Sequence, residues 1–389
     1  ACMNACPTYG VVGGHVIGYN YPGPIGIPWT EEVHGLEKAE FAHLCISCGL
    51  CKEICPADID IPMMIAKVKE KDVKQNGQIT PNKVLSRSDD FARWASATAP
   101  FSNWVIQSRI SRSFMSRFLG IERKRKIPRF VNRTFVKRFP SIKKEIAEPK
   151  RKVVYFVDLV ANFNEPEIGV RAVTLLQNYG IEVALPPGLK ASGMPYISYG
   201  ELQKAKSIAE WNVKLLSKYV NEGYDVVATE PTATYCLKHA YPKLLDNSEQ
   251  SLKVADKSFE FFEYLSKYHE PLDLRRNDGA TSEKTIGFHI PCHQRALSEG
   301  KYTISILESA GYDVKVIETG TCCGMAGTFG LKKGPLGYDL SMAVGKPLFD
   351  LFNNDHSIKI IATESSVCTS QLEDGTGSKL VHPLDLISF

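Results

Sequence analysis

The sequence predicts three architectures along one chain: an α+β cysteine-rich module over residues 1–62, a basic helical linker over 63–150, and two repeated α/β domains with mainly parallel sheets over 151–278 and 279–389. Three observations lead to that division. Six of the eleven cysteines stand before position 62. The next stretch reads as helices interrupted at Pro81, Pro100, Pro128 and Pro140. Beyond it, anchors recur about 130 residues apart, pairing Phe156 with Phe288, Tyr179-Gly180 with Ala310-Gly311, Ser192-Gly193-Met194 with Cys323-Gly324-Met325, and Thr229-Glu230 with Thr363-Glu364.

Each zone follows from its local chemistry. Residues 10–28 are dense in Gly and Pro, which punctuate regular structure rather than extend it, so the first module is built on loops. From position 151 short apolar runs alternate with helical stretches. Strands are predicted over 153–157, 181–185, 225–229, 285–290, 312–317 and 358–363, with one helix ending near Gly180 and another starting near Glu201. This alternation is the signature of parallel α/β units, here a pseudo-symmetric pair.

With 389 residues, 43% apolar and 23% charged, the chain buries real cores, which excludes a disordered or fibrous protein. An odd, bunched set of cysteines argues against a secreted disulfide framework and for metal or redox chemistry in a reducing compartment. No apolar run approaches the roughly 18 residues of a membrane span, and no signal peptide is visible. Ala1 is not a natural start, so further sequence is expected upstream. The net charge of +4 conceals a basic belt: residues 61–152 hold 23 Lys plus Arg against 7 Asp plus Glu, a net of +16, leaving −12 for the rest.

Cys45, Cys48, Cys51 and Cys55, followed by Pro56, form C-x2-C-x2-C-x3-C-P. In that run three close thiolates wrap one cubane, while the fourth ligates the other cluster of a pair. Cys2 and Cys6, followed by Pro7, reproduce the last two cysteines of a second such run. The expectation is a two-cluster ferredoxin holding two [4Fe-4S] clusters, one on Cys6, Cys45, Cys48 and Cys51, the other on Cys2, Cys55 and two cysteines upstream of Ala1. A zinc knuckle fits less well, because zinc sites favour paired C-x2-C units.

A second constellation lies in the last domain. Cys322-Cys323-Gly324 follows a predicted strand, and Cys292 and Cys368 follow two others, so all four cysteines stand at the carboxyl ends of strands, where doubly wound units place ligands. This is expected to be a metal site rather than a set of catalytic thiols. Cys236 reads as a small buried apolar residue.

At these residues the chain resembles iron-sulfur oxidoreductases that join a two-cluster ferredoxin to tandem cysteine-rich domains with a C-C-G signature. That group includes the C subunit of anaerobic glycerol-3-phosphate dehydrogenase, the glycolate oxidase iron-sulfur subunit, lactate-utilisation iron-sulfur proteins and the B subunit of heterodisulfide reductase. The resemblance spans nearly the whole chain. It is most specific over residues 45–56, Thr319-Gly320-Thr321-Cys322-Cys323-Gly324-Met325-Ala326-Gly327 and Thr363-Glu364-Ser365-Ser366-Val367-Cys368. Gly13-Gly14-His15 and Tyr21-Pro22-Gly23-Pro24-Ile25-Gly26 look most like the lactate-utilisation branch.

Two departures stand out. The first α/β domain has Ala191-Ser192-Gly193 where C-C-G would stand and no cysteine near Asp158, so it is expected to be metal-free, a structural partner or docking face. In the second, C-x2-C has become Ser365-x2-Cys368. Four candidate ligands suit a mononuclear zinc or an ordinary cubane better than a larger non-cubane cluster.

Phe101, Trp104, Val105, Ile110, Phe114, Phe118 and Ile121 approximate one helical face, with Arg109, Arg112, Arg117 and Arg123 around it. Such a helix suits a bilayer interface or a partner protein. Arg123-Lys124-Arg125-Lys126 is read as a site for an acidic partner or as a solvated run, and nucleic acid is not expected.

Clusters exchange single electrons and need a donor and an acceptor. No G-x-G-x-x-G follows a strand, so the flavin is expected on a separate dehydrogenase subunit. The resemblance implies an electron-transfer subunit that moves electrons from a flavin dehydrogenase of 2-hydroxy-acid or glycerol-3-phosphate type, through the ferredoxin clusters and the C-C-G site, to membrane quinone. His289, His293 and His382 are candidate proton donors. The expected location is cytoplasmic and peripheral on the cytoplasmic membrane, on the lipid surface or a membrane-anchor subunit. Alternatives are disulfide reduction at the C-C-G site, a zinc-bearing scaffold, or electron delivery by an electron-transferring flavoprotein.

Overall fold

The computed structural model describes residues 1–269, 273–317 and 322–388. Thr319-Gly320-Thr321 of the C-C-G signature lies outside the described residues.

Residues 1–62 carry helices and turns but no strand, which corrects the expected α+β module. The segments between cysteines are too short and too rich in Gly and Pro for a period-2 run, and they close as helices instead. Pro7–Val12 begins on Pro7, with Cys6 as its N-cap: the thiol accepts from Tyr9 N. At Gly26 a side chain has no room, since a Cβ would fall 1.6 Å from Tyr21 O.

The linker is a wrapped layer rather than a loose connection. Its first helix, Ile61–Asn76, is capped by Asp60 and buries Lys69, whose Nζ donates to Cys45 O at 2.7 Å and Ser198 O at 2.8 Å. Pro81 falls in the first turn of Thr80–Leu85 and Pro100 is the N-cap of Phe101–Gln107, positions where a missing N–H costs no ladder bond. Pro140 instead sits inside Phe135–Ile142, near its end, where it removes one ladder bond without breaking the helix. The expected basic amphipathic helix is also divided. Phe101–Gln107 stops at Ser108, which turns extended and caps Arg109–Phe114 through Ser111 N, and a π-turn then runs over Met115–Leu119.

Within the basic tetrad Arg125 is neither solvated nor free. It is 2% exposed and donates to Gly330 O, Ser341 Oγ and Asp374 Oδ2 at 3.0, 3.1 and 2.9 Å. It fastens the linker to the last domain.

The two α/β units have the same topology. In the first, β1 (Arg151–Tyr155), β2 (Ile181–Ala184), β3 (Asp225–Ala228) and β4 (Ser258–Glu260) form a parallel sheet in the order β2-β1-β3-β4. In the second, β6 (Thr285–Phe288), β7 (Asp313–Val316), β8 (Ile360–Ala362) and β9 (Lys379–Val381) repeat it as β7-β6-β8-β9. A short antiparallel pair, β5 (Arg275–Arg276) with β10 (Ile387–Ser388), ties the ends of the second unit together. The predicted strands are present, β1 shifted by two residues and the others shorter, and β4, β5, β9 and β10 went unrecognised in the sequence. Pro166–Asn178 and Leu202–Asn221 are the expected helices.

Val153, Tyr155, Ile286, Phe288, Phe259 and Val381 belong to one continuous apolar core, so the two sheets are packed together. A second core joins Ile17 and Ile27 of the cysteine module and Ile65 of the first linker helix to Phe329, Leu340 and Val344 of the last unit. Burial on this scale, about 25 cal/mol per Å² of apolar surface, holds the three parts as one body.

Candidate metal centres and the cavity between them

Cys6, Cys45, Cys48 and Cys51 surround one small hollow, closed by Ile17, Ile27, Pro62 and Ile65. The chain turns back at each ligand position: Gly49 has φ +81°, and Ser47 N donates to Cys45 Sγ at 3.5 Å. Burial pushes the Cys6, Cys48 and Cys51 thiols up, and mutual repulsion among the thiolates adds to it. Four soft donors converging on an apolar hollow fit a bound cation and little else. Cys2 lies in a helix, Cys2–Ala5, that packs on Leu50–Glu53, the helix ahead of Cys55.

The second centre is built at three strand ends. Cys292 follows β6, Cys322 and Cys323 follow β7, and Cys368 lies in the helix after β8. Cys323 Sγ and Cys368 Sγ are 3.3 Å apart, and Cys322 contacts both Cys292 and Cys323. The Cys322 thiol is held low by its contacts with Cys292 and Cys323, and Cys368 is held at about 6 by donation from Cys323 and contact with His289. The glycine of C-C-G is required by space: Gly324 has φ +90°, and a Cβ there would meet Ser341 O at 2.1 Å.

The three histidines separate. His289 brings a ring nitrogen within 4.8 Å of the Cys323 and Cys368 sulfurs, close enough for the three to share a metal ion. His293 has both nitrogens engaged, with Thr232 Oγ1 at 3.1 Å and Ser47 O at 3.0 Å, and stacks on Tyr235 at 4.5 Å. His382 caps the helix Pro383–Leu386 through Leu384 N and does not line the cavity described next. Cys236 is fully buried in the core of the first unit.

A cavity of about 590 Å³ lies between the two α/β units, the cysteine module and the linker. Cys48 reaches it from the module, and Cys292, Cys322, Cys323 and Cys368 from the last unit. Ala191, Ser192 and Gly193, the cysteine-free counterpart of C-C-G, form the opposite wall with Asp158 and Glu230. Sequence reasoning missed both acids. The only signal was the pairing of Glu230 with Glu364 in the repeat, which does not tell a structural acid from one facing a cavity. Burial first, then the neighbouring Asp158 charge, pushes the Glu230 carboxyl up to about 8.

Comparison with known proteins agrees with this layout. A 4Fe-4S dicluster domain family matches residues 1–59, and a cysteine-rich domain family matches residues 286–373. The C subunit of anaerobic glycerol-3-phosphate dehydrogenase from Escherichia coli (strain K12) is 28% identical over 398 residues, covering 100% of this chain and 96% of that protein. Lactate utilization protein A of Bacillus cytotoxicus is 27% identical over 192 residues, covering 48% of this chain and 77% of that protein. The same-named protein of Halalkalibacterium halodurans is 26% identical over 192 residues, covering 48% and 75%. The chain is a homologue of the C subunit of anaerobic glycerol-3-phosphate dehydrogenase and of lactate utilization protein A, an oxidoreductase component that combines a ferredoxin-like dicluster domain with a C-C-G cysteine-rich domain.

Proposed function

We propose that the chain is the electron-transfer subunit of a quinone-linked dehydrogenase, accepting electrons from a flavoprotein partner and passing them to membrane quinone. The observation that carries this reading is that Cys48 and the four C-C-G cysteines open onto the same cavity. Iron-sulfur clusters, where bound, supply one-electron exchange.

The chain's own residues set the rest. Cys6, Cys45, Cys48 and Cys51 hold one [4Fe-4S] cluster, and Cys2 and Cys55 contribute to a second. Cys292, Cys322, Cys323 and Cys368 hold the C-C-G metal with His289 as a fifth donor, a set that suits iron or zinc, of which only iron carries an electron along this path. His293 fixes the distance between the two regions by bonding Ser47 O from beside Cys292.

The linker supplies the membrane contact. Phe101, Trp104, Ile110, Phe114 and Phe118 are 57–84% exposed, while Ser102 and Ser116 of the same segment are buried. These five apolar groups face outward while Ile106 packs inward, a larger exposed apolar face than a core-packed helix leaves, and the arginines alongside match anionic headgroups. No helix among the described residues is long and apolar enough to cross a membrane.

Purification of the native complex in mild detergent tests this reading. A co-eluting flavoprotein and quinone reduction are expected; a preparation with neither contradicts it.

A further inference from the structure

The α/β unit that carries no cysteine ligands still forms half of the cavity, and what it presents there is acid. Glu230 stands two residues past the end of β3. Its Oε2 accepts from Ser366 N at 3.3 Å and Ser366 Oγ at 3.0 Å, across the boundary between the two units. Its Oε1 is buried and has no hydrogen-bond partner. Ser365 also lies beside the carboxyl, so it is clamped by Ser366 through one oxygen while Oε1 is left without a hydrogen bond, in a side chain that lines the cavity with Cys292, Cys322, Cys323 and Cys368.

Its repeat counterpart has a different task. Glu364 accepts from Gln294 and Thr303, lies against Glu260 and is not part of the cavity wall. The duplication has left one glutamate inside the structure and turned the other to the cavity. The histidines do not compete for a proton-donating role, since His293 is bonded at both nitrogens and His289 lies among the sulfurs.

We propose that Glu230 is the acid that hydrogen-bonds and protonates a quinone-type acceptor bound in this cavity against the C-C-G site. The assignment rests on the quinone reading above. The reaction takes up two electrons, delivered by the reduced iron-sulfur clusters and replaced from the flavoprotein donor, and two protons: each carbonyl oxygen of the quinone becomes a hydroxyl. Glu230 breaks its O–H bond to supply one proton and becomes a carboxylate. The second proton, and the one that restores Glu230, come from water at the cavity mouth, where exposed Asp90 and Lys204 stand. Asp158 is the neighbouring acid that favours the neutral form of Glu230 between turnovers.

The test uses the cluster-loaded full-length chain reduced with dithionite and mixed with either a soluble short-chain quinone or ferricyanide, which takes an electron without a proton. Binding of a non-reducible quinone analogue is measured alongside by equilibrium dialysis. Glu230→Gln keeps the shape and the Ser366 contact. It is expected to bind the analogue within about two-fold of wild type and to be reoxidised by ferricyanide at the wild-type rate, while reoxidation by quinone falls about 100-fold. Glu230→Asp, which restores an acid one methylene shorter, is expected to recover about ten-fold of that loss.

A Glu230→Gln protein that quinone reoxidises as fast as wild type overturns the role of Glu230 while leaving the quinone reading intact. Wild-type protein that ferricyanide oxidises but quinone does not overturns both. Equal losses with quinone and ferricyanide also overturn the role, since they place Glu230 in the electron path or the fold rather than in proton delivery.

Discussion

His293 Nε2 stands 3.0 Å from the carbonyl oxygen of Ser47, joining the residue after Cys292 to the residue before Cys48. Its Nδ1 holds Thr232 of the first α/β unit, and Tyr235 covers the ring. One side chain thus sets the spacing of all three parts around the cavity. Burial lowers its proton affinity, so it works as a neutral imidazole. His293→Ala leaves Ser47 O and Thr232 without this partner and is expected to cost about 1–3 kcal/mol. Denaturant midpoints and iron content check this: the midpoint falls and the iron content holds.

Gly324 is the position where the C-C-G loop tolerates no side chain. Gly324→Ala places a Cβ against Ser341 O and forces an L-residue into φ +90°, for an expected cost of about 1–3 kcal/mol. The damage is local, so metal is lost from the second centre and kept in the cysteine module. Metal analysis together with paramagnetic resonance separates the two.

Lys238 neutralises two buried acids, with Glu299 Oε1 at 2.6 Å and Glu263 Oε2 at 3.2 Å. Both carboxylates are 3–4% exposed; without Lys238, Glu299 loses its cation while Glu263 keeps Lys267 on Oε1. Lys238→Met is expected to lose about 3–5 kcal/mol, read from thermal or urea unfolding.

Glu230 makes stability depend on pH. Its carboxyl ionises near 4.5 when unfolded and near about 8 when folded. Between those values the folded chain holds an extra proton, so stability falls as pH rises through the window. Glu230→Gln removes that dependence. Its urea midpoint is expected to gain on wild type between about pH 5 and about pH 8; a constant difference is the contrary result.

The linker face gives a salt-resistant test. Trp104→Ser with Phe114→Ser removes two large exposed side chains, each contributing about 1.5–3 kcal/mol when buried. Wild-type chain is expected to stay on anionic liposomes in high salt, and the double variant to be released. Arginine substitutions nearby are expected to weaken binding chiefly at low salt.

The cysteine spacing and the strand-end positions of Cys292, Cys322, Cys323 and Cys368 were legible in the sequence because they depend on neighbours along the chain. Strands β1, β2, β3, β6, β7 and β8 were legible as apolar runs. Three-residue strands such as β4 and β9 carry too little pattern to register. The break at Ser108 was missed because the apolar spacing runs across it, while the cap depends on a single hydroxyl. Arg125 read as part of a solvated run because its partner Gly330 lies 205 residues away. Glu230 reads as half of a repeat pair until the fold turns it to the cavity. Long-range partnership, not local propensity, is what the sequence withholds.

The central claim is that the cysteine module and the C-C-G site form one electron path to quinone. Reoxidation of dithionite-reduced protein by a soluble quinone, followed through the visible absorbance of the ferredoxin centres, tests it most directly in wild type and Cys323→Ala. The path predicts fast recovery in wild type, with ferredoxin centres that stay reduced in Cys323→Ala. Recovery in Cys323→Ala at the wild-type rate would contradict it.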